Sequence, residues 1–260
     1  MKATSRDYTV ESLAKGLRIL ALFSERRASL RLTEIVALTG LPMPTAFRLV
    51  ATLESEGYLE RLPDGAVRPA AAVLTLGFAA LRGLDLVQTS SVILSDLFEQ
   101  TRQTVNLGIL SADRVVYIAR LQSDTVLVTA NVTVGSTLPA IVTSMGKVLL
   151  AFMPADEVHA RIGTTTFEGP WGPNAVRTIE ALDAELARVR ADGFAMQDEE
   201  LASGLRSIAA PVRQNDGRVV AAVNVAVPAR EFSVSDLRKR VREPLLAACA
   251  HISRRLGAPL

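Results

Sequence analysis

The sequence predicts an α+β protein in two parts: three short helices and a hairpin, then an antiparallel sheet flanked by helices. Three observations carry this. Apolar residues before Leu59 recur at helical spacing in three separate stretches. Asp64-Gly65 stands between two short extended runs, a hairpin signal. Beyond Gln103 the strand-like runs come as hairpin pairs, not in the strand–helix alternation of a parallel sheet.

The first helix is read over 10–23, where Val10, Leu13, Leu17, Leu20 and Phe23 share one stripe, and the polar run 24–29 ends it. A second covers 32–38 and stops at Gly40, a residue suited to left-handed backbone at a helix C-terminus. A third opens at Leu41-Pro42-Met43-Pro44. Pro44 fits a first turn, where its missing N–H has no helical partner to lose. Ala46, Leu49, Val50 and Leu53 form its buried stripe, and Gly57 ends it. Runs 58–61 and 67–68 make the hairpin, and an apolar helix over 70–84 leads onward. The back half reads as a helix at 86–102, strands at 104–111, 114–121 and 125–132, and helices at 145–153, 155–162 and 178–191. Strands then return at 194–197, 206–213 and 219–227, with Asn215-Asp216-Gly217 as a turn. A long last helix follows from Val234, Leu237, Val241, Leu245, Ala248, Ile252 and Leu256. The domain division is therefore 1–69, a linker helix at 70–84, and 85–260.

Hydrophobic residues make up 49% and charged residues 22%, which excludes a disordered chain. A single cysteine, Cys249, permits no intrachain disulfide and is expected to act as a small buried hydrophobe. The N-terminus lacks the apolar core of a signal peptide, and charges interrupt every apolar run short of a membrane span. A cytoplasmic protein with no membrane partner is expected. No Gly-rich phosphate loop is present, and His159 and His251 lie far apart, so neither cofactor nor metal is expected. His251, beside the last helix's apolar stripe, is read as a core or interface residue. Net charge is +2, but residues 1–84 carry eleven Lys/Arg against eight Asp/Glu, which points to an anionic partner for the front.

The third helix exposes Met43, Thr45, Arg48 and Thr52, slim or hydrogen-bonding groups, with acids only at Glu54 and Glu56 near its end. That face suits the DNA major groove, and Arg61 and Arg68 on the hairpin suit phosphates. The plainer alternative is a three-helix core with a solvated face. The hairpin and the basic bias favour a winged helix-turn-helix on double-stranded operator DNA. Ser144 and Lys147 fit the Ser-x-x-Lys pattern of a serine hydrolase, but no Ser-Asp-Asn or Lys-Thr-Gly partner accompanies them. A helix start is the better reading, with free N–H groups at Met145 and Gly146 able to hold a carboxylate. A DNA-binding protein without any ligand is the remaining alternative.

SLAKGLRIL, LTEIVALTGLP, TAFRLVATLESEGYL, LPAIVTSMGKVLLAF, DEELASGLRSIAAPV and GRVVAAVNVAV, in this order and spacing, resemble the IclR family of bacterial transcriptional regulators over nearly the whole chain. VGSTLPA, TSMGK and DEELASGLRSIA look most like its branch controlling aromatic-acid catabolism through the β-ketoadipate pathway. The resemblance implies a GAF-like effector-binding domain behind the winged helix-turn-helix. It also implies a homodimer, with a homotetramer through the effector domains as the larger assembly, and no enzymatic activity. The implied effector is a small, 4-hydroxybenzoate-like organic acid. It would lie at the Met145 and Gly146 amides, Ser207, Asn224 and the Asp198/Glu200 region, with its ring against Leu107, Ile109, Leu138 or Ile141. Lys147 and Arg206 are the cations read as close to these segments, so backbone amides would carry most of the neutralisation. Ser207 stands where part of the family has Cys, and Pro44 where Ser or Lys is common.

Overall fold

A computed structural model describes residues 9–24, 27–83, 86–123, 132–163, 165 and 167–259. They form two compact units, one ending at Gly83 and one beginning at Leu84, so the apolar linker helix belongs with the front unit. Most of the extended run read at 125–132 lies outside the described residues.

In the first unit α1 (Glu11–Leu20), α2 (Leu32–Thr39) and α3 (Met43–Ser55) enclose Ile19, Ile35, Ala46 and Val50, each 0–1% exposed. Gly40 closes α2 at φ 68°, as its position in the sequence predicts, and α2 and α3 meet at 116°, within the range of helix-turn-helix pairs. β1 (Leu59–Arg61) pairs antiparallel with β2 (Val67–Pro69), and Leu30 bridges Val67 to add a third extended segment. α4 (Ala71–Gly83) follows.

One expectation fails here. α1 ends at Leu20, and the front of its apolar stripe is not core: Val10, Leu13 and Leu17 are 57–62% exposed, while Leu20 and Phe23 pack against the core and Gly16 and Ile19 are buried. Periodicity finds an apolar face but not what covers it. The N-terminal chain fills this core through Ile19, Leu20 and Phe23, and Leu13 and Leu17 of α1 open onto a groove shared with α3 and Leu76 of α4.

The second unit begins with α5 (Leu86–Thr101) and builds a six-stranded antiparallel sheet in the order β5-β4-β3-β8-β7-β6. The strands are β3 (Thr104–Ser111), β4 (Arg114–Leu121), β5 (Thr137–Pro139), β6 (Ala195–Asp198), β7 (Leu205–Arg213) and β8 (Val219–Pro228). β5 escapes the sequence reading because three residues are too short for a period. A 3-10 turn, Ala140–Val142, leads into α6 (Ser144–Ala151), which is buried along its whole length against one face of the sheet. α7 (Ala155–Ile162) and α8 (Ile179–Asp192) follow, with α8 packed on α6. α5 and the terminal helix cover the other face. That helix is broken where the sequence reads it as continuous. α9 (Val234–Asp236) passes through a π-helical turn, Leu237–Val241, into α10 (Arg242–Arg255). Pro244, which has no N–H for the carbonyl four residues back, sits in the first turn after the break. Cys249 is buried as expected, its thiol pushed up to about 12 by burial. His251 is exposed, not core, on the rim of a groove between α5 and α10.

Candidate functional site

Outward from the core of the first unit, α3 presents Pro44, Phe47, Arg48 and Ala51, spaced by three and four and all exposed, with Met43 beside them. The Arg48 guanidinium has no partner among the described residues. Thr45 and Thr52 lie on the flank, lining the groove with Leu13 and Leu17; Thr45 is half-buried, and the Thr52 hydroxyl donates to the carbonyl of Arg48 at 2.8 Å. Met43 and Arg48 are exposed on the outer face, and Arg48 borders the same groove as the two threonines.

The wing arginines are engaged. Arg61 Nη2 lies 2.6 Å from Glu54 Oε2 and Nη1 donates to the carbonyl of Gly65, while Arg68 pairs with Glu60 across the hairpin. Such exposed pairs are worth only about 0–1 kcal/mol, so a phosphate can displace the glutamates. Phe47 is the residue the sequence reading passed over. It looked for polar groups, whereas the signal was a large apolar side chain on the helix face opposite the core stripe.

The second unit holds a cavity where β4, β3 and β8 lie side by side. Arg120, Asn106 and Asn224 are register partners across these strands, so their side chains stand in one row on the α6 face. Arg120 Nη1 donates to Asn106 Oδ1 at 2.8 Å, and Asn106 Nδ2 donates to Asn224 Oδ1 at 2.7 Å. The row borders a cavity of about 30 Å³, closed further by Tyr117, Val142, Gln197, Leu201 and Ser207. Two donors at the cavity, Arg120 Nε and Gln197 Nε2, are buried without a partner among the described residues. Burial draws the Arg120 pKa below its ordinary value, the sign of a desolvated cation, and raises that of the Tyr117 phenol. An anion in the cavity would relieve the first and satisfy the open N–H.

Of the expected effector residues, the structure brings Ser207 and Asn224 to this cavity. Leu107 follows Asn106 directly in β3, and the pleat turns it to the opposite sheet face; Ile109, Leu138 and Ile141 do not line the cavity either. Met145 is fully buried beside Gly108. The Gly146 N–H is not free for a carboxylate, because Thr143 Oγ1 caps it at 3.1 Å. Asp198 holds Arg206 at 2.5 Å, and Glu200 holds Lys147 at 2.5 Å. Both cations read as available are therefore occupied, and Arg120 is the cation at the cavity. Arg120 was missed because a strand residue between apolar neighbours shows its side only once register is known.

Lys147 is 1% exposed, and its Nζ also lies 3.4 Å from Glu185 Oε1 and donates to the Met196 carbonyl. Burial holds the Glu200 carboxyl above the usual carboxylate range, against the pull of Lys147. Ser144 Oγ meets Ser207 Oγ at 2.7 Å and Lys147 meets Glu200, so the two residues of the Ser-x-x-Lys pair bond to a second serine and a carboxylate and not to each other. A nucleophile needs an adjacent base, and this arrangement supplies none. Trp171 packs on the core cluster and does not cap the cavity.

A family model described as the bacterial transcriptional regulator IclR C-terminal domain matches residues 78–254, and one described as the IclR helix-turn-helix domain matches residues 12–63. The chain is 32% identical over 254 residues to the HTH-type transcriptional regulator XynR of Escherichia coli (strain K12), covering 96% of this chain and 98% of that protein. It is 34% identical over 249 residues to the Pca regulon regulatory protein of Pseudomonas putida, covering 94% and 84%. Among solved structures, an IclR homolog from Microbacterium hydrocarbonoxydans complexed with 4-hydroxybenzoate superposes with a TM-score of 0.77 at 28% identity, covering 94% and 98%. An IclR family transcriptional regulator from Brucella abortus gives 0.81 at 26% identity, covering 98% and 96%.

Proposed function

Because the chain belongs to the IclR family of bacterial transcriptional regulators, we propose that a small organic acid bound in the β4–β3–β8 cavity sets how tightly its helix-turn-helix holds operator DNA. The protein is a regulator and not an enzyme: its relatives carry the names of transcriptional regulators and repressors. The single observation behind the effector reading is Arg120 Nε, buried without a partner among the described residues, at a cavity that also holds Asn224, Ser207 and the Gln197 amide. The carboxylate sits on Arg120 and Asn224, and a second polar group meets Gln197 and Ser207. The acid is aromatic, a reading supported by the Pca regulon relative and by the homolog carrying 4-hydroxybenzoate. A volume of 30 Å³ is room for about one water, so a ring enters only as the cavity widens. That widening is what lets a ligand favour one conformation over another, since equal affinity for both would shift nothing. The regulator works in the cytoplasm as a homodimer, or as a tetramer through its second units, and sedimentation of the purified chain reads that state.

Calorimetry with 4-hydroxybenzoate, protocatechuate and benzoate tests the cavity. One of them is expected to bind, and Arg120→Ala to weaken it by roughly 1.5–3 kcal/mol, the worth of a hydrogen bond to a charged group. Unchanged binding by Arg120→Ala would remove the carboxylate from Arg120. The small volume favours a second reading, a two- or three-carbon oxo- or hydroxy-acid; binding of lactate but of no aromatic acid would establish it.

For DNA, α3 lies in the major groove with Arg48 toward a base edge or a nearby phosphate. Arg48→Ala is expected to weaken operator binding by roughly 1–3 kcal/mol and to flatten its salt dependence. A gel-shift salt series measures both, and retention of full affinity would dismiss the role of Arg48 and with it the groove placement of α3.

A further inference from the structure

We propose that Phe47 is a specificity-determining residue that reads the 5-methyl groups of thymines in the operator, with Met43 extending the same contact. Phe47 is 55% exposed and Met43, one turn earlier on α3, is 43% exposed. A solvated helix face ordinarily carries charged or polar groups there. Here the stripe Pro44, Phe47, Arg48 and Ala51 contains one charge, and no acidic residue occupies the first turn. The face therefore matches a surface that is anionic overall and apolar in small patches. In the major groove the one apolar group a base pair offers is the thymine methyl.

The fold sets the arrangement. Ala46 and Val50 are buried and anchor the inner side of α3, which puts Phe47 and Arg48 side by side on the outer one. A ring that covers a thymine methyl next to a guanidinium that meets guanine O6 and N7, or a phosphate, predicts a half-site in which thymine adjoins the position read by Arg48. Packing Phe47 on the core instead would need α3 to roll, and the buried Ala46 and Val50 forbid this.

The inference rests on α3 entering the major groove, and the test separates the two. Wild-type protein enriches duplexes from a random pool, and each thymine of the enriched site is then replaced in turn by deoxyuridine, which lacks only the methyl. At one or two positions the affinity is expected to fall about fourfold, the worth of one buried methyl group. Phe47→Ala, a substitution at an exposed position by a good helix former, is expected to bind the thymine and deoxyuridine duplexes with a smaller difference than wild type does. Phe47→Ala is also expected to lose the thymine preference when the selection is repeated. Enriched duplexes that depend on Arg48 yet ignore every deoxyuridine would overturn the role of Phe47 alone. A deoxyuridine penalty that persists undiminished in Phe47→Ala would overturn it too. Duplexes bound equally well by wild type and Arg48→Ala, or no enrichment at all, would overturn the groove placement of α3 and the inference with it.

Discussion

Lys147→Ala is expected to destabilise the second unit by about 3–5 kcal/mol, the cost of breaking a buried ion pair from one side. The wild-type ammonium is 1% exposed and sits between Glu200, 8% exposed, and Glu185, 19% exposed. Removing it strands a carboxylate whose second oxygen, Oε2, already lacks a partner among the described residues. It also leaves a void where one of the largest fully buried side chains stood. Lys147→Met separates these effects, since it restores most of the volume and none of the charge. Pairing it with Glu200→Leu removes both charges and should recover most of the loss.

The pH dependence carries a sign. Burial raises the Glu200 pKa in the folded state, and without Lys147 that tendency is less opposed. The folded protein then binds the proton more tightly than the unfolded chain does. The deficit of Lys147→Ala is therefore smallest below the ordinary carboxylate range and grows as pH rises through the folded-state pKa. Urea unfolding at a series of pH values measures this. A Lys147→Ala midpoint matching wild type at neutral pH would mean that the pair contributes nothing.

Gly146→Ala is expected to cost more than about 3 kcal/mol, beyond ordinary overpacking. A Cβ at this position would lie 2.1 Å from the Ala140 carbonyl oxygen and 2.3 Å from its Cα. These are backbone atoms of the turn that leads into α6, so no side chain can swing away. α6 must separate from residues 140–142, and every residue of α6 is buried. Gly77→Ala in α4 is the control. A Cβ there meets nothing within 4 Å, and the change should stabilise by roughly 0.5–1 kcal/mol through helix propensity. Equal midpoints for Gly146→Ala and wild type would rule out the close approach of the two backbones.

Much of the fold was legible because local chemistry enforces it. Gly40 capping α2, Pro44 in the first turn of α3 and Asp64-Gly65 in the hairpin are choices that neighbours in sequence decide. The same locality explains the misses. Leu13 and Leu17 recur at helical spacing whether or not anything packs on them. The amide of Gly146 looked free only until Thr143 was seen as the N-cap of α6.

The sequence by itself determined that the chain has three short helices with a wing, then an antiparallel sheet, and that α3 offers a slim, non-acidic face. Periodicity and turn chemistry are properties of residues a few positions apart, so one chain displays them. Tertiary structure alone decided which side chains share a site. Asn106 and Asn224 are separated by 118 residues, and only the registers of β3 against β8 and against β4 bring them into one row with Arg120. Register likewise turned Leu107 away from the cavity, and burial bound Lys147 to Glu200 rather than to a ligand. A strand shifted by one residue would reverse the assignments made by register, because successive side chains point to opposite faces of the sheet.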